Sequence, residues 1–564
     1  MTKKGETMKT SFKLVNLVGL IISVILGGYA FGQGVINVQN GNINHFYQDF
    51  SVPGHGYTLT LERSFNSKSN FLGMFGHRWG SNFDVSFKET PEGTVEITEF
   101  GGGFKTTFAP KEYSLKDVNS FIDALYQKLP EASKTETLKL SLKNDPKLRH
   151  QLAWEHKMVK DIAWNSTLFA NDRGPETLQK TKSKVGKTIW VRTFADGKKE
   201  LFNEKNQLIR REDANKNFLN LEYNKEGLLT KVSDVSGRQI LFTYNTAKKV
   251  ESVTSPLGKK CAFKYDKDSH LIYAKNAAGY EFNYKYNPST HHMLEVSYPT
   301  GQKEAMQYDD EDRITFHEGP EDIKTTYRYD TKGNPDKFFN VIVTKEIGKK
   351  PNQATTVDKY DYEFGQRENG TRYTYKLATV LDGVKTETVY TPCCGKPVSI
   401  NRDGKMTRFE YLPNGLLKNK TSPDGEMVTL FYDNSFNKVS KVVRADPVSK
   451  ASSATEYQYD KNGNLSFAKS PDKKISVQLF YDTKGRIKQL LDQTGKKISF
   501  DYNELGKPTK ITQEGTGSII VSYNAAGEIT NVKSTAGRKI AVEVTSAFQS
   551  LLDIIRPAGV SLNI

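Results

Sequence analysis

The sequence predicts an all-β repeat protein: a ribbon of antiparallel hairpins, with a small helical segment inserted near its start. Three observations predict it. Tyrosine followed by Asp or Asn recurs at Tyr223, Tyr244, Tyr265, Tyr286, Tyr308 and Tyr329, and again at Tyr432, Tyr459, Tyr481, Tyr502 and Tyr523. Neighbouring members stand 21 or 22 residues apart, save from Tyr329 to Tyr432 and from Tyr432 to Tyr459, and so constant a period marks a repeat architecture. Second, only 36% of the 564 residues are hydrophobic, thin for one conventional core, yet 28 Tyr and 31 Phe supply large faces that suit strands. Third, the stretches ending in tyrosine alternate with a period of two, as in Ile240-Phe242-Tyr244 and Ile498-Phe500-Tyr502, so one face of each is buried.

The chain opens on an export signal. Lys3, Lys4, Lys9 and Lys13 precede an apolar run from Leu14 to Leu26, and small residues follow at Gly27, Gly28, Ala30 and Gly32. Residues 1–32 therefore read as a secretory signal peptide cleaved after Ala30 or Gly32, with an uncleaved anchor as the alternative. No later stretch is apolar enough to cross a membrane, so a secreted or cell-surface location is expected.

Residues 33–110 read as a β domain, from alternation in Tyr57-Thr58-Leu59-Thr60-Leu61 and Thr94-Val95-Glu96-Ile97. Over 111–186 the spacing turns helical: Ser114 with Asp117 forms a capping box, Asp145-Pro146 an N-cap with proline behind it, and Leu148, Leu152, Val159 and Ile162 follow a helical period. Two or three helices are expected, with Trp154 and Trp164 packed against the β domain.

Residues 187–543 form the repeat array. The Tyr-[Asp/Asn]-x-x-Gly start suits a type I turn, because Asp or Asn bonds its own backbone and Gly tolerates the last position. A second turn lies halfway, at Gly237, Gly258, Gly279, Gly301, Gly404, Gly425, Gly495 and Gly537, so each half-repeat is one strand. In the half after the tyrosine turn, apolar residues stand three apart, as Leu229 and Val232 do, which breaks the two-residue rule and predicts a bulge. Burying three apolar side chains contributes roughly 5 to 9 kcal/mol, whereas ordering a repeat costs about 1 to 2 kcal/mol per residue. A lone hairpin should not fold; edge-to-edge stacking gives a long ribbon that strand twist forces to curl. Two polar stretches, 338–372 and 444–454, are expected as extended loops or enlarged hairpins, and 544–564 as a tail.

Two sets of residues carry a resemblance. Asp49-Phe50, Pro53-Gly54, Arg63-Ser64-Phe65-Asn66-Ser67, Gly73 and Gly76-His77-Arg78-Trp79 resemble the segment that introduces the repeats in bacterial RHS proteins, with Phe65 in place of the usual tyrosine and His77-Arg78 set between Gly76 and Trp79. The tyrosine series is similar to the YD repeats of RHS proteins and, more distantly, of teneurins and insecticidal toxin-complex carriers. The resemblance implies a ribbon curled into a hollow β shell that encloses polypeptide cargo or meets a surface glycan or protein partner. RHS toxin carriers continue into an aspartate-bearing autocleavage motif and a toxic tail; neither is visible here, so toxin delivery is not carried over.

No catalytic constellation stands out. Metal-protease, phosphate-loop and nucleophile-elbow motifs are missing. His291 and His292 are expected on an exposed turn, and Asp309, Asp310, Glu311 and Asp312 on a solvated turn, with calcium binding as the alternative. The chain has three cysteines; Cys393 and Cys394 either form a redox-labile vicinal disulfide or sit in a turn between Pro392 and Gly395. A net charge of +16 admits a polyanion, but the basic residues are scattered and no nucleic acid is expected. The sequence thus reads as a non-enzymatic scaffold without cofactor or metal. The alternatives are a carbohydrate- or polyanion-binding adhesin and a toxin carrier lacking its toxic module.

Overall fold

The computed structural model describes residues 34–544, apart from 55, 171–174, 320–322, 332, 349–350, 352, 368–371, 393–394, 471–473, 526, 538–539, 541 and 543. The export signal, the Cys393–Cys394 pair and the tail beyond 544 lie outside the described residues.

Each repeat is the expected hairpin. Between the strands Phe218–Tyr223 and Leu229–Asp234, pairing runs from Leu219 with Asp234 to Glu222 with Lys231, then slips so that Tyr223 faces Leu229. Thr230 is the bulged residue, and the buried Leu229 and Val232 straddle it, which explains their three-residue spacing. The slip recurs at Tyr244, Tyr265, Tyr286 and Tyr308, and at Tyr432, Tyr459, Tyr481, Tyr502 and Tyr523. Tyr329 departs, lying in an unbroken ladder between Ile323–Asp330 and Phe338–Ile347. In the turn after Tyr223, Asn224 Oδ1 accepts the Glu226 and Leu228 amides at 3.0 and 2.9 Å, and Gly227 takes φ +81°.

These hairpins join into one sheet of 36 strands, from Ser86–Glu89 to Ile529–Ser534, each strand antiparallel to its neighbours in sequence. Its first and last strands share no ladder among the described residues, so the ribbon is curled into a shell without closing as a barrel. The two polar stretches are enlarged hairpins and not loops: Phe338–Ile347, Ala354–Gln366 and Arg372–Leu381 pair side by side, as do Val439–Ala445 and Ser452–Tyr459.

The helical segment is shorter than 111–186. Helices α1 (Leu115–Lys128), α2 (Glu136–Asn144) and α3 (Pro146–Glu155) pack on one another, and strand Thr167–Ala170 rejoins the sheet beside Lys105–Ala109. Asp117 accepts the Ser114 amide at 2.9 Å, and Asp145 accepts the Lys147 and Leu148 amides at 2.8 and 3.1 Å. The tryptophans depart from expectation: Trp154 is 48% and Trp164 47% exposed. Helix α3 instead turns Arg149 and His150 inward onto Glu92, at 2.7 and 2.9 Å, so its docking face is polar, and Trp154, one turn beyond His150, stands half exposed at the edge of that contact beside Phe87 and Thr90. The Lys180 and Lys182 ammonium groups lie 5.5 and 5.0 Å from the Trp164 ring.

Ahead of the ribbon, Val35–Asn37, Asn42–Val52, Leu59–Asn66 and Trp79–Ser81 form a separate four-stranded sheet, and Leu72–Gly73 pairs with Gly76–His77 in a small hairpin.

Candidate functional site: the docked N-terminal segment and the shell seam

All eleven repeat tyrosines make the same contact. The Tyr244 hydroxyl donates to the Leu229 carbonyl at 2.7 Å, Tyr265 to Val250 at 2.8 Å and Tyr286 to Leu271 at 2.9 Å. Tyr308 and Tyr329 repeat it at 3.1 and 2.7 Å, as do Tyr223, Tyr432, Tyr459, Tyr481, Tyr502 and Tyr523. The accepting carbonyl sits at the bulge of the preceding hairpin; the ladder from Leu229–Asp234 to the following strand begins only at Lys231, so Leu229 lies beyond it. Each hydroxyl thus satisfies a carbonyl that the bulge strands and clasps consecutive repeats. Sequence periodicity located these tyrosines without revealing what their polar tips do.

The N-terminal segment docks on the apolar face of the ribbon through the residues quoted for the family resemblance. Arg63 lies fully buried, its guanidinium forked onto Asp49 at 2.5 and 2.9 Å. Its Cζ sits 4.9 Å from the Phe263 ring of the wall and 5.1 Å from Trp79. Trp79 Nε1 donates to the Tyr286 hydroxyl at 2.9 Å, and Tyr47 packs edge-on against Phe282 and Tyr284. Wall amides donate to the segment's carbonyls: Val250 to Met74 at 2.8 Å, Ala277 to Asp49 at 3.1 Å and Ile314 to Gly41 at 2.9 Å. Gly76, at φ +94°, faces the Ser269 carbonyl so closely that a Cβ would meet it at 2.3 Å.

Two histidine groups flank this core. Buried Glu304 receives His317 Nε2 at 2.5 Å and the Gly34 amide at 3.2 Å, with His45 Nδ1 at 3.8 Å and the Tyr298 hydroxyl close by. Burial works to raise its carboxyl, and His45, His317 and Tyr298 together outweigh it and hold it below the ordinary value. The group is closed from solvent, so it ties segment to wall. In the second group, His291 and His292 are not exposed as expected. His77 stacks on His291 at 4.2 Å, His291 Nδ1 meets His270 Nε2 at 2.8 Å, and the 4% exposed His292 stacks on Tyr308 at 4.2 Å. The docked segment covers them, and nothing near residue 291 in sequence announces that cover.

The acidic turn behaves as a turn: Asp309 accepts the Glu311 and Arg313 amides at 3.0 and 2.9 Å, and Asp312 pairs with His292 at 3.0 Å. Asp266, Asp268 and His270 approach one another closely, but Asp266 is taken up by the Asp268 and His270 amides and by His270 Nδ1, as another turn of the array. Cys261 is a buried free thiol.

The ribbon also meets itself. Asn215, in a halfway turn, exchanges amide bonds with Asn464, in a tyrosine turn, at 3.0 and 2.9 Å, and Asn217 donates to the Lys484 carbonyl at 3.0 Å. Opposite edges of successive revolutions therefore touch about 250 residues apart. Roughly 20 strands at about 4.8 Å each make a path on the order of 100 Å, the circumference of a ring about 30 Å across. The N-terminal segment bonds Arg238 through the Pro53 carbonyl and Thr374 through Gln39, and Pro53 also abuts Gly527. One segment touching more than a full revolution lies on the concave side.

Comparison with known families places both ends. Residues 33–102 match a domain of unknown function, DUF6531, and residues 432–559 match the family described as Teneurin YD-shell. Together the two matches support an RHS/YD-repeat family. Among solved structures, this YD-repeat chain is similar to TcdB2-TccC3 without hypervariable C-terminal region, at 9% identity and a TM-score of 0.43, over 91% of this chain and 28% of that one. The crystal structure of TcdB2-TccC3 gives 9%, 0.36, 87% and 31%, and the Photorhabdus luminescens Tc holotoxin pore with the TccC3 D651A mutation gives 10%, 0.25, 88% and 33%. The YD-repeat chain thus spans a third or less of the length of those chains. No curated protein matches it. Among the described residues, no helix is long and apolar enough to cross a membrane.

Proposed function

We infer that this YD-repeat protein is an exported, non-enzymatic scaffold: a β shell wound round its own N-terminal segment, presenting its polar outer face to a surface partner. One observation carries the choice between surface interaction and cargo enclosure. A ring about 30 Å across must leave about 10 Å on each side for sheet-to-sheet packing, so the N-terminal sheet largely fills the revolution it touches. A folded cargo of 100 residues has a radius of gyration of about 13 Å and needs more room than remains there. Amino-terminal sequencing of chain recovered from medium or cell surface should start at Phe31 or Gln33; retention inside the cell counts against export. Purified chain should turn over nothing in glycan and peptide panels, and turnover abolished by one carboxylate substitution would falsify the non-enzymatic role.

A second reading, as a carbohydrate or polyanion binder, is favoured by a cleft of about 950 Å³ at the seam. Its lining joins Asn215, Asn462, Gln458 and Gln478 with Asp460, Asp482 and the 40% exposed Phe480. Amides and carboxylates suit hydroxyl groups, and an aromatic face suits a sugar ring. Retention on an anionic glycan matrix that weakens with salt supports a polyanion ligand; retention on neutral glycans alone supports the cleft.

A further inference from the structure

Six of the chain's nine histidines meet at one contact: His45 and His77 on the N-terminal segment, His270, His291, His292 and His317 on the wall. They fall into two groups of opposite electrical character. We propose that the second group is an acid-sensitive latch: as pH falls, His77 and His292 take up protons and the hairpin 72–77 lets go of the wall, while the Glu304 group keeps the rest of the segment tethered.

The latch is short of negative charge. His77 faces His291, His270, Lys249 and Arg78, with no carboxylate among them. Around His292 stand Arg78, Lys68 and His291 against the single carboxylate of Asp312. The cations cannot swing away without giving up docking bonds. Lys249 Nζ donates to the Gly73 carbonyl at 2.9 Å, Arg78 to the Ser67 carbonyl and, at 3.0 Å, to Thr290, and Lys68 to the Glu311 carbonyl at 2.8 Å. His270 is held at Nδ1 by Asp266, 2.7 Å away, so its Nε2 and the facing His291 Nδ1 share one proton.

The sign follows from burial. Desolvation first, and Arg78 next, hold His292 down at about 4 despite Asp312; desolvation, then His291 and His270, lower His77. Undocked rings return towards the ordinary 6.5, so docking is full above that pH and weakens as pH drops towards 4. His292 alone lowers the docking constant about 30-fold between pH 7.5 and 5.0. Asp84, beside Lys249, works the other way, its carboxyl pushed up to about 6 by burial against the Ser81 hydrogen bonds. At the Glu304 group, His45, His317 and Tyr298 hold the carboxyl below its ordinary value against burial, so that tether survives until the pH is below about 4.5.

Amide hydrogen exchange on the whole chain at pH 7.5 and 5.0, corrected for intrinsic rates, tests the latch. The Val250 and His77 amides, which bond Met74 and Ser269 across the contact, should lose protection at pH 5.0, while Ile314, bonded to Gly41, keeps it. The loss should be at least about 30-fold greater in the natural chain than in a His77→Gln/His292→Gln chain, since His77 adds to the contribution of His292, and Asp84, common to both, drops out of that ratio. Equal losses in the two chains overturn the proposal. So does parallel loss at Ile240 and Val253 inside the wall, which signals global acid unfolding. Should the double substitution fail to fold, His77→Gln alone must still shrink the loss, and no change rejects the latch.

Discussion

At the scale of single residues, the tyrosine hydroxyls decide more than their spacing suggests. A bulge leaves one carbonyl per repeat beyond any ladder, and Tyr244 reaches the one at Leu229. Tyr244→Phe should therefore cost about 1 kcal/mol or somewhat more in denaturant unfolding, because a buried acceptor loses its donor while the ring still packs. A change within error rejects the clasp. Arg63 is the stronger case. Arg63→Met leaves Asp49 buried without its counter-charge and should destabilise the docked segment by about 3 to 5 kcal/mol. The added change Asp49→Leu should recover most of it, since replacing a buried pair by apolar groups is often neutral. Neither loss nor recovery would show if the fork were exposed.

At the scale of elements, the turns have two environments that one substitution separates. Gly237 and Gly485 both adopt a left-handed backbone, at φ +80° and +78°. A Cβ on Gly237 meets open space, whereas one on Gly485 meets the Asn215 amide nitrogen at 2.3 Å across the seam. Gly237→Ala should cost about 1 kcal/mol from backbone strain alone, and Gly485→Ala measurably more, together with faster exchange at residues 460–464. Equal costs would mean the seam is not closed in solution. The helical insertion gives a pH contrast. Burial works to raise Glu92, but His150, Arg149 and Tyr113 outweigh it and hold it at about 2. Its folded value is depressed, so its contribution is full above about 4.5 and is lost only as pH falls towards 2. Exchange at pH 5.0 should find helix α3 as protected as at pH 7.5, whereas the latch at His77 and His292 has already loosened.

At the scale of the whole molecule, the spiral sets the dimensions. Electron-microscopy classes of the purified chain should show a ring about 30 Å across between facing backbones, filled at the end that holds the N-terminal sheet. Separate globules or an open flat ribbon would overturn both the seam and the scaffold role. Strand, turn and bulge were legible in the sequence because each depends on residues a few positions apart: Asn224 bonds Leu228, and Leu229 with Val232 announces the slip beside Tyr223. Arg63 and Asp49 were visible as parts of a family-like segment, but their pairing was not. The sequence puts His291 and His292 on the surface because their cover comes from the N-terminal segment, remote in the chain, whereas Trp154 and Trp164, expected to pack against the β domain, stay about half exposed.

By itself the sequence determined the period, the hairpin with its bulge, and the need for hairpins to stack, since a lone one cannot offset its own ordering. Only the tertiary structure decided where the curled edges meet, what fills the curl and which histidines end up face to face. The reason is that turn and ladder preferences act within a few residues, whereas curvature is a sum of small twists over some twenty strands. Asn215 finds Asn464 only at the end of that sum.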